Sequence, residues 1–169
     1  MNHWITRLLK HRRLDETDAQ RVLGAGALQR IEARVAASEA RHSGEIRVCV
    51  EAGLPMSYLR CNATPRERAV AMFGKLRVWD TEHNNGVLIY LLLAEHSIEI
   101  VADRGLDRQV DNVQWQRITA AMQVAFKGGK FEAGLNQAID TVDSLLIQHF
   151  ALAPGAVNPN ELPDAPLLR

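Results

Sequence analysis

The chain lacks a long hydrophobic run. Its longest, Val87 to Ala94, falls well short of the roughly 20 apolar residues that cross a bilayer, and it sits mid-chain. The N-terminus lacks the apolar stretch of a secretory signal. Net charge is also missing: 20 Lys and Arg balance 20 Asp and Glu. Proteins that grip phosphate backbones carry a basic excess, so nucleic acid is not an expected partner. Cysteine is scarce. Cys49 and Cys61 form neither a metal spacing nor a disulfide framework. Both thiols are expected to be reduced in the cytoplasm. The Asn62-Ala63-Thr64 sequon then carries no glycan.

The familiar catalytic motifs are absent too. Gly24-Ala25-Gly26 has no third glycine and no preceding strand, so no dinucleotide site is expected. Gly129-Lys130 is followed by Phe131, not the Ser or Thr of a P-loop. No Gly-x-Ser-x-Gly elbow exists. Six histidines are scattered without metal spacing, and His42 and His149 read as helix-face residues. Cys49 reads as a sheet residue, since buried thiols are usually inert. No organic cofactor is expected.

What remains is a globular pattern of 169 residues, enough for one domain. Residues 1–14 carry Arg7, Lys10, Arg12 and Arg13 and no acid. With Trp4, Ile5, Leu8 and Leu9 at helical spacing, they read as a basic amphipathic helix. It either packs on its own domain or makes weak peripheral contact with a membrane surface. Helices are expected over residues 16–23 and 27–41, the latter with Leu28, Ile31 and Val35 on one face. Glu45 to Glu51 alternates as a strand. Residues 52–63 read as loop. Thr64-Pro65-Arg66-Glu67 is a helix start with a capping box, sending Ala69, Val70, Phe73 and Leu76 inward. Val87 to Leu93 is apolar nearly throughout, as in a strand covered on both faces. Ser97 to Asp103 alternates again. Asp111 caps a helix, with Gln114 three residues on, and a last helix spans 131–150. Four prolines, Pro154, Pro159, Pro163 and Pro166, punctuate a tail over 151–169 that reads as flexible.

This order predicts an α/β fold. The first strand runs parallel to the second across a helix, and the second and third form a hairpin. The small mixed sheet is sandwiched between helices, with residues 15–150 forming the domain proper. If Glu95-His96 is a two-residue turn, Leu93 pairs with Ile98, Asp103 with Leu88, and Gly86 faces Gly105. The loop Asp80 to Gly86 then meets the loop Asp103 to Asp107, with Glu45 at the same end. Asp80, Asn84, Asp103, Asp107 and Asp111 are the candidate ligands of a hard cation, Ca²⁺ or Mg²⁺. Glu45, Asn85 and Arg104 are candidate ligand or phosphate contacts. An EF-hand is excluded: the sixth position is Asn85 instead of Gly, and the twelfth is Leu91 instead of Glu.

The run Leu76-Arg77-Val78-Trp79-Asp80-Thr81-Glu82-His83-Asn84-Asn85-Gly86-Val87-Leu88-Ile89-Tyr90 resembles the TPM domain. That is the family of thylakoid-lumen and photosystem-repair phosphatase-like proteins and their bacterial relatives. The resemblance continues through Ile98 to Leu106 and covers roughly residues 27–150. Asn84-Asn85-Gly86-Val87-Leu88 stands where the family has Asp-Asn-Gly-Val-Leu, so Asn84 replaces an acid. Gly105-Leu106-Asp107 matches its Gly-Leu-Glu, and Asp111 its helix-starting Asp. The resemblance implies a small α/β/α sandwich. Some relatives are acid phosphatases that bind calcium; others are membrane-anchored accessory proteins. Two functions follow. One is a non-catalytic module whose acidic cleft binds a cation or a protein partner. The other is a metal-assisted phosphatase of low activity, with Glu45, Glu82 or His83 as its only available bases.

Overall fold

The hydrophobic periods resolve into an α/β/α sandwich in the computed structural model, which describes residues 3–169, with side chains from Ile5 onward. Helices α1 (His3–Arg12), α2 (Glu16–Leu23) and α3 (Ala27–Glu39) lead into β1 (Ile46–Glu51). Then follow α4 (Met56–Arg60), α5 (Pro65–Lys75), β2 (Val87–Leu92) and β3 (Ser97–Ala102). The chain continues through α6 (Arg104–Asp107), α7 (Asn112–Lys127), α8 (Phe131–Phe150) and a terminal β4 (Leu167–Leu168). The sheet order is β3-β2-β1-β4. β1 is parallel to β2, and β2 is antiparallel to β3.

Each strand feeds two cores through its pleat. Val48, Val50, Ile89, Leu91, Ile98 and Ile100 pack with α2, α3, α7 and α8. Cys49, Leu88, Tyr90, Leu92 and Val101 pack with α4, α5 and Leu8 of α1. Every residue of β1 and β2 is buried, which explains why β2 is apolar almost without a break. Burial lifts the Cys49 thiol to about 12, so it is an inert packing residue.

Capping follows the local chemistry. Thr64 and Glu67 form a reciprocal box at α5, and Asp111 accepts from Gln114 N at 2.7 Å to start α7. On α5 the buried face is Arg68, Ala69 and Met72, whereas Val70, expected inward, is 50% exposed. The segment 52–63, expected as loop, contains the short α4. His42 is not a helix-face residue: it lies past α3, buried, in a bridge to Ala151.

Two larger differences matter for the site. The hairpin turn is longer than two residues. Leu93–Glu95 forms one 3-10 turn and His96 closes it in the left-handed region (φ 49°). Leu91 therefore pairs with Ile98, and Val87 with Ala102, a slip of two from the expected register. The other difference is the tail. Instead of hanging free, it returns to the sheet, where Leu167 and Leu168 pair parallel with Cys49 and Val50. Leu162 is buried in the core on the α5 side. Arg47 donates to the carbonyls of Pro163 and Ala165. Helix α1 packs through Leu8 and through His11, which accepts at Nδ1 from Leu54 N, and leaves Ile5 and Leu9 exposed.

Candidate functional site

The slip of two keeps every side chain on its expected face, because the strand period is two. It also keeps the two loops together. Asp103 N donates to Gly86 O at 2.8 Å, and Gly105 N to Asn84 O at 2.8 Å. Gly86 thus faces Asp103, where Gly105 was expected. Both glycines are required by close approach. A Cβ on Gly86 would stand 1.9 Å from Val78 O, and one on Gly105 2.4 Å from Asn84 O.

Around this corner the structure brings together part of the expected set. Asp103 is the N-cap of α6: its Oδ1 accepts from Arg104 N at 2.7 Å. Its Oδ2 is buried and has no partner among the described residues. Asn84, at φ 52°, accepts at Oδ1 from Arg104 Nε at 3.2 Å. Asp107 lies one turn further along α6 and is exposed. Arg104 is exposed as well.

The remaining candidates are engaged elsewhere. Asp80 pairs with Arg77 at 3.1 Å on the surface. Asp111 spends its side chain on the α7 cap. Asn85 is buried and donates from Nδ2 to Ser43 Oγ at 3.2 Å, leaving Oδ1 without a partner among the described residues. Glu45 lies beneath the tail, where Oε2 accepts from Leu162 N at 3.0 Å. Burial holds its carboxyl above the usual range. Among the described residues, no group of three or more His, Cys, Asp or Glu side chains is placed to hold a metal ion. Nor is any helix there long and apolar enough to cross a membrane.

Two polar groups escaped the sequence reading because their members are distant in the chain. Glu51 accepts from Arg68 Nε at 2.8 Å and from the Tyr90 hydroxyl at 2.6 Å, and all three are buried. Ser38 Oγ donates to Asp143 Oδ1 at 2.8 Å and lies 2.9 Å from His42 Nε2. Serine stands in the middle here, whereas a catalytic triad places the histidine there, and the set is buried. It clamps α3 against α8.

This fold is shared with known proteins. The TPM domain pattern matches residues 17–145. The chain belongs to the TPM domain family. The NMR structure of BA42, from the psychrophilic bacterium Bizionia argentinensis, is 27% identical, with a TM-score of 0.76. That likeness covers 90% of this chain and 99% of BA42. The N-terminal domain of a protein from P. gingivalis shares the fold at 18% identity and a TM-score of 0.62, covering 79% of this chain and 83% of its own. No curated protein matches.

Proposed function

We propose that this TPM domain is a non-catalytic binding module whose hairpin corner holds a hard cation. The observation that carries the reading is Asp103 Oδ2, a buried carboxylate oxygen with no donor among the described residues. An acceptor-only oxygen left this way is costly unless a positive charge meets it. Asp107, on the next turn of the same helix, offers a second carboxylate, and Asn84 a neutral oxygen. Mg²⁺ is held by one or two carboxylates and retains several waters, so a set this small suits it; Ca²⁺ takes the same oxygen chemistry with more ligands. Arg104 presents the corner's own positive charge and would contact an anionic partner group.

A cation that prefers the folded state raises its stability by linkage. Millimolar Mg²⁺ or Ca²⁺ is therefore expected to raise the melting temperature by a few degrees. Asp103→Asn combined with Asp107→Asn is expected to remove that rise while keeping an N-cap, since Asn caps as well as Asp. An unchanged rise in the double variant would reject the site. Turnover of a phosphate ester that requires the cation and is lost in the same variant would replace the binding module by a metal-assisted phosphatase.

A further inference from the structure

The two edges of the sheet are treated differently. The far edge of β1 is taken by the chain's own β4, whereas the far edge of β3 carries no strand among the described residues. In an antiparallel pair, alternate residues turn both backbone groups to the partner. The bond from Asp103 N to Gly86 O fixes which ones these are. Ser97, Glu99, Val101 and Asp103 face β2 in this register, so the N–H and C=O groups of Ile98, Ile100 and Ala102 point outward. Arg66 of α5 donates to Ile100 O, which confirms the direction. The other outward groups have no hydrogen-bond partner among the described residues.

This edge is the floor of a groove. α5 packs on one face of β3 and α7 on the other. Between them lies a cavity of about 450 Å³, lined by Arg66, Glu99, Ile100 and Ala102 and by Gln116 and Thr119 of α7. That is within the usual size of a ligand cleft. Natural edge strands are blunted by Pro, Lys or a bulge. The β3 sequence Ser-Ile-Glu-Ile-Val-Ala has no Pro and no Lys, and it pairs with β2 without interruption. Arg66 is the cover, and its side chain is 54% exposed, so it can swing away.

We propose that this groove takes an extended, basic peptide segment of a partner protein, added to β3 as a further strand. The backbone of such a segment offers the N–H and C=O groups that Ile98, Ile100 and Ala102 lack. An incoming N–H replaces Arg66 at Ile100 O. The segment's charge is set by the walls: Glu99 and, at the groove's end, Asp107 outnumber the single Arg66. Burial raises the Glu99 carboxyl above its usual range, and Arg66, 3.9 Å away, opposes this only in part. A Lys or Arg side chain from the peptide relieves that cost.

The experiment uses the full chain in EDTA, so that no cation at Asp103 contributes. The probe is the blocked peptide Thr-Val-Lys-Val-Lys-Val-Thr. The expected result is slowing of amide exchange by roughly tenfold or more at Ile100 and Ala102. A version N-methylated on alternate residues and one with Glu for Lys should both bind at least about tenfold more weakly. Arg66→Ala should bind more tightly, because it removes the competitor for Ile100 O. Ala102→Pro, which deletes one outward N–H at an edge position, should bind more weakly while melting as a folded protein. Equal binding of the N-methylated peptide, protection away from β3, or no protection at millimolar peptide would each overturn the proposal.

Discussion

At the scale of single residues, one buried acid ties stability to pH. Glu39 is buried, and its Oε1 accepts from Ile46 N at 2.7 Å while Oε2 has no hydrogen-bond partner among the described residues. Burial, with Glu45 and Asp164 adding to it, pushes this carboxyl up to about 9. In the unfolded chain it titrates near the ordinary value of about 4.3. Between these values the folded chain keeps a proton that the unfolded chain has released. The Glu39 contribution to stability therefore falls as pH rises through that window and levels off above it. Glu39→Gln keeps an acceptor for Ile46 N and removes the titration. The variant should show a flatter melting profile between pH 5 and about 9 and melt higher than the parent near pH 9. Chemical or thermal denaturation across that range checks it, and parallel profiles would show that Glu39 ionises freely in the fold.

At the scale of elements, the hairpin shows which features the sequence carries and which it hides. The faces of β1 and β3 were legible, because alternation at Glu45–Glu51 and at Ser97–Asp103 states them directly. The register was not. Val87 to Leu92 is apolar at every position, so sliding it by two exposes nothing and leaves no trace in the pattern. The decision falls to His96, whose left-handed backbone closes a longer turn. The cation set suffered from the same blindness. Asp103 and Asn84 sit on loops that β2 and β3 bring together, and Asp111 is spent on the cap that its spacing to Gln114 announces, but the Arg77 pair at Asp80 depends on local geometry that spacing does not show. What the register does demand is small residues at the crossing. Gly105→Ala would drive a Cβ into Asn84 O and His83 O. Forced overpacking against backbone costs about 1–3 kcal/mol. The variant should melt several degrees lower and, by moving the Asn84 loop away from Asp103, lose any gain in stability from Mg²⁺ or Ca²⁺. An unaltered melting temperature would mean that the corner yields without strain.

At the scale of the whole molecule, the tail is part of the fold. Four prolines and no hydrophobic period make residues 154–169 look unable to pack, and by helix or central-strand rules they are. They dock by other means. Pro166 precedes a two-residue strand at an edge, where a missing N–H is tolerated. The anchors lie far off in sequence, which is why no local pattern reveals them. Arg47, buried in β1, donates to the carbonyls of Pro163 and Ala165, and Glu45 accepts from Leu162 N at Oε2. Arg169 closes the ladder, donating to Val50 O at 3.0 Å and accepting from Ala52 N at 2.7 Å. Ending the chain at Ala153 would remove all of these partners and the Leu162 side chain. Burying one Leu contributes about 1.5–3 kcal/mol. In a domain of this size, each kcal/mol moves the melting temperature by about 2–4 °C. The uncovered Arg47 and Glu45 regain water, which offsets part of their lost bonds. The truncated chain should therefore remain folded but melt roughly 5–10 °C lower, and Leu162→Ala alone should recover a large share of that fall. If truncation left the melting temperature unchanged while Leu162→Ala lowered it, the tail would dock without contributing net stability; if neither had an effect, β4 would not pair with β1 in solution.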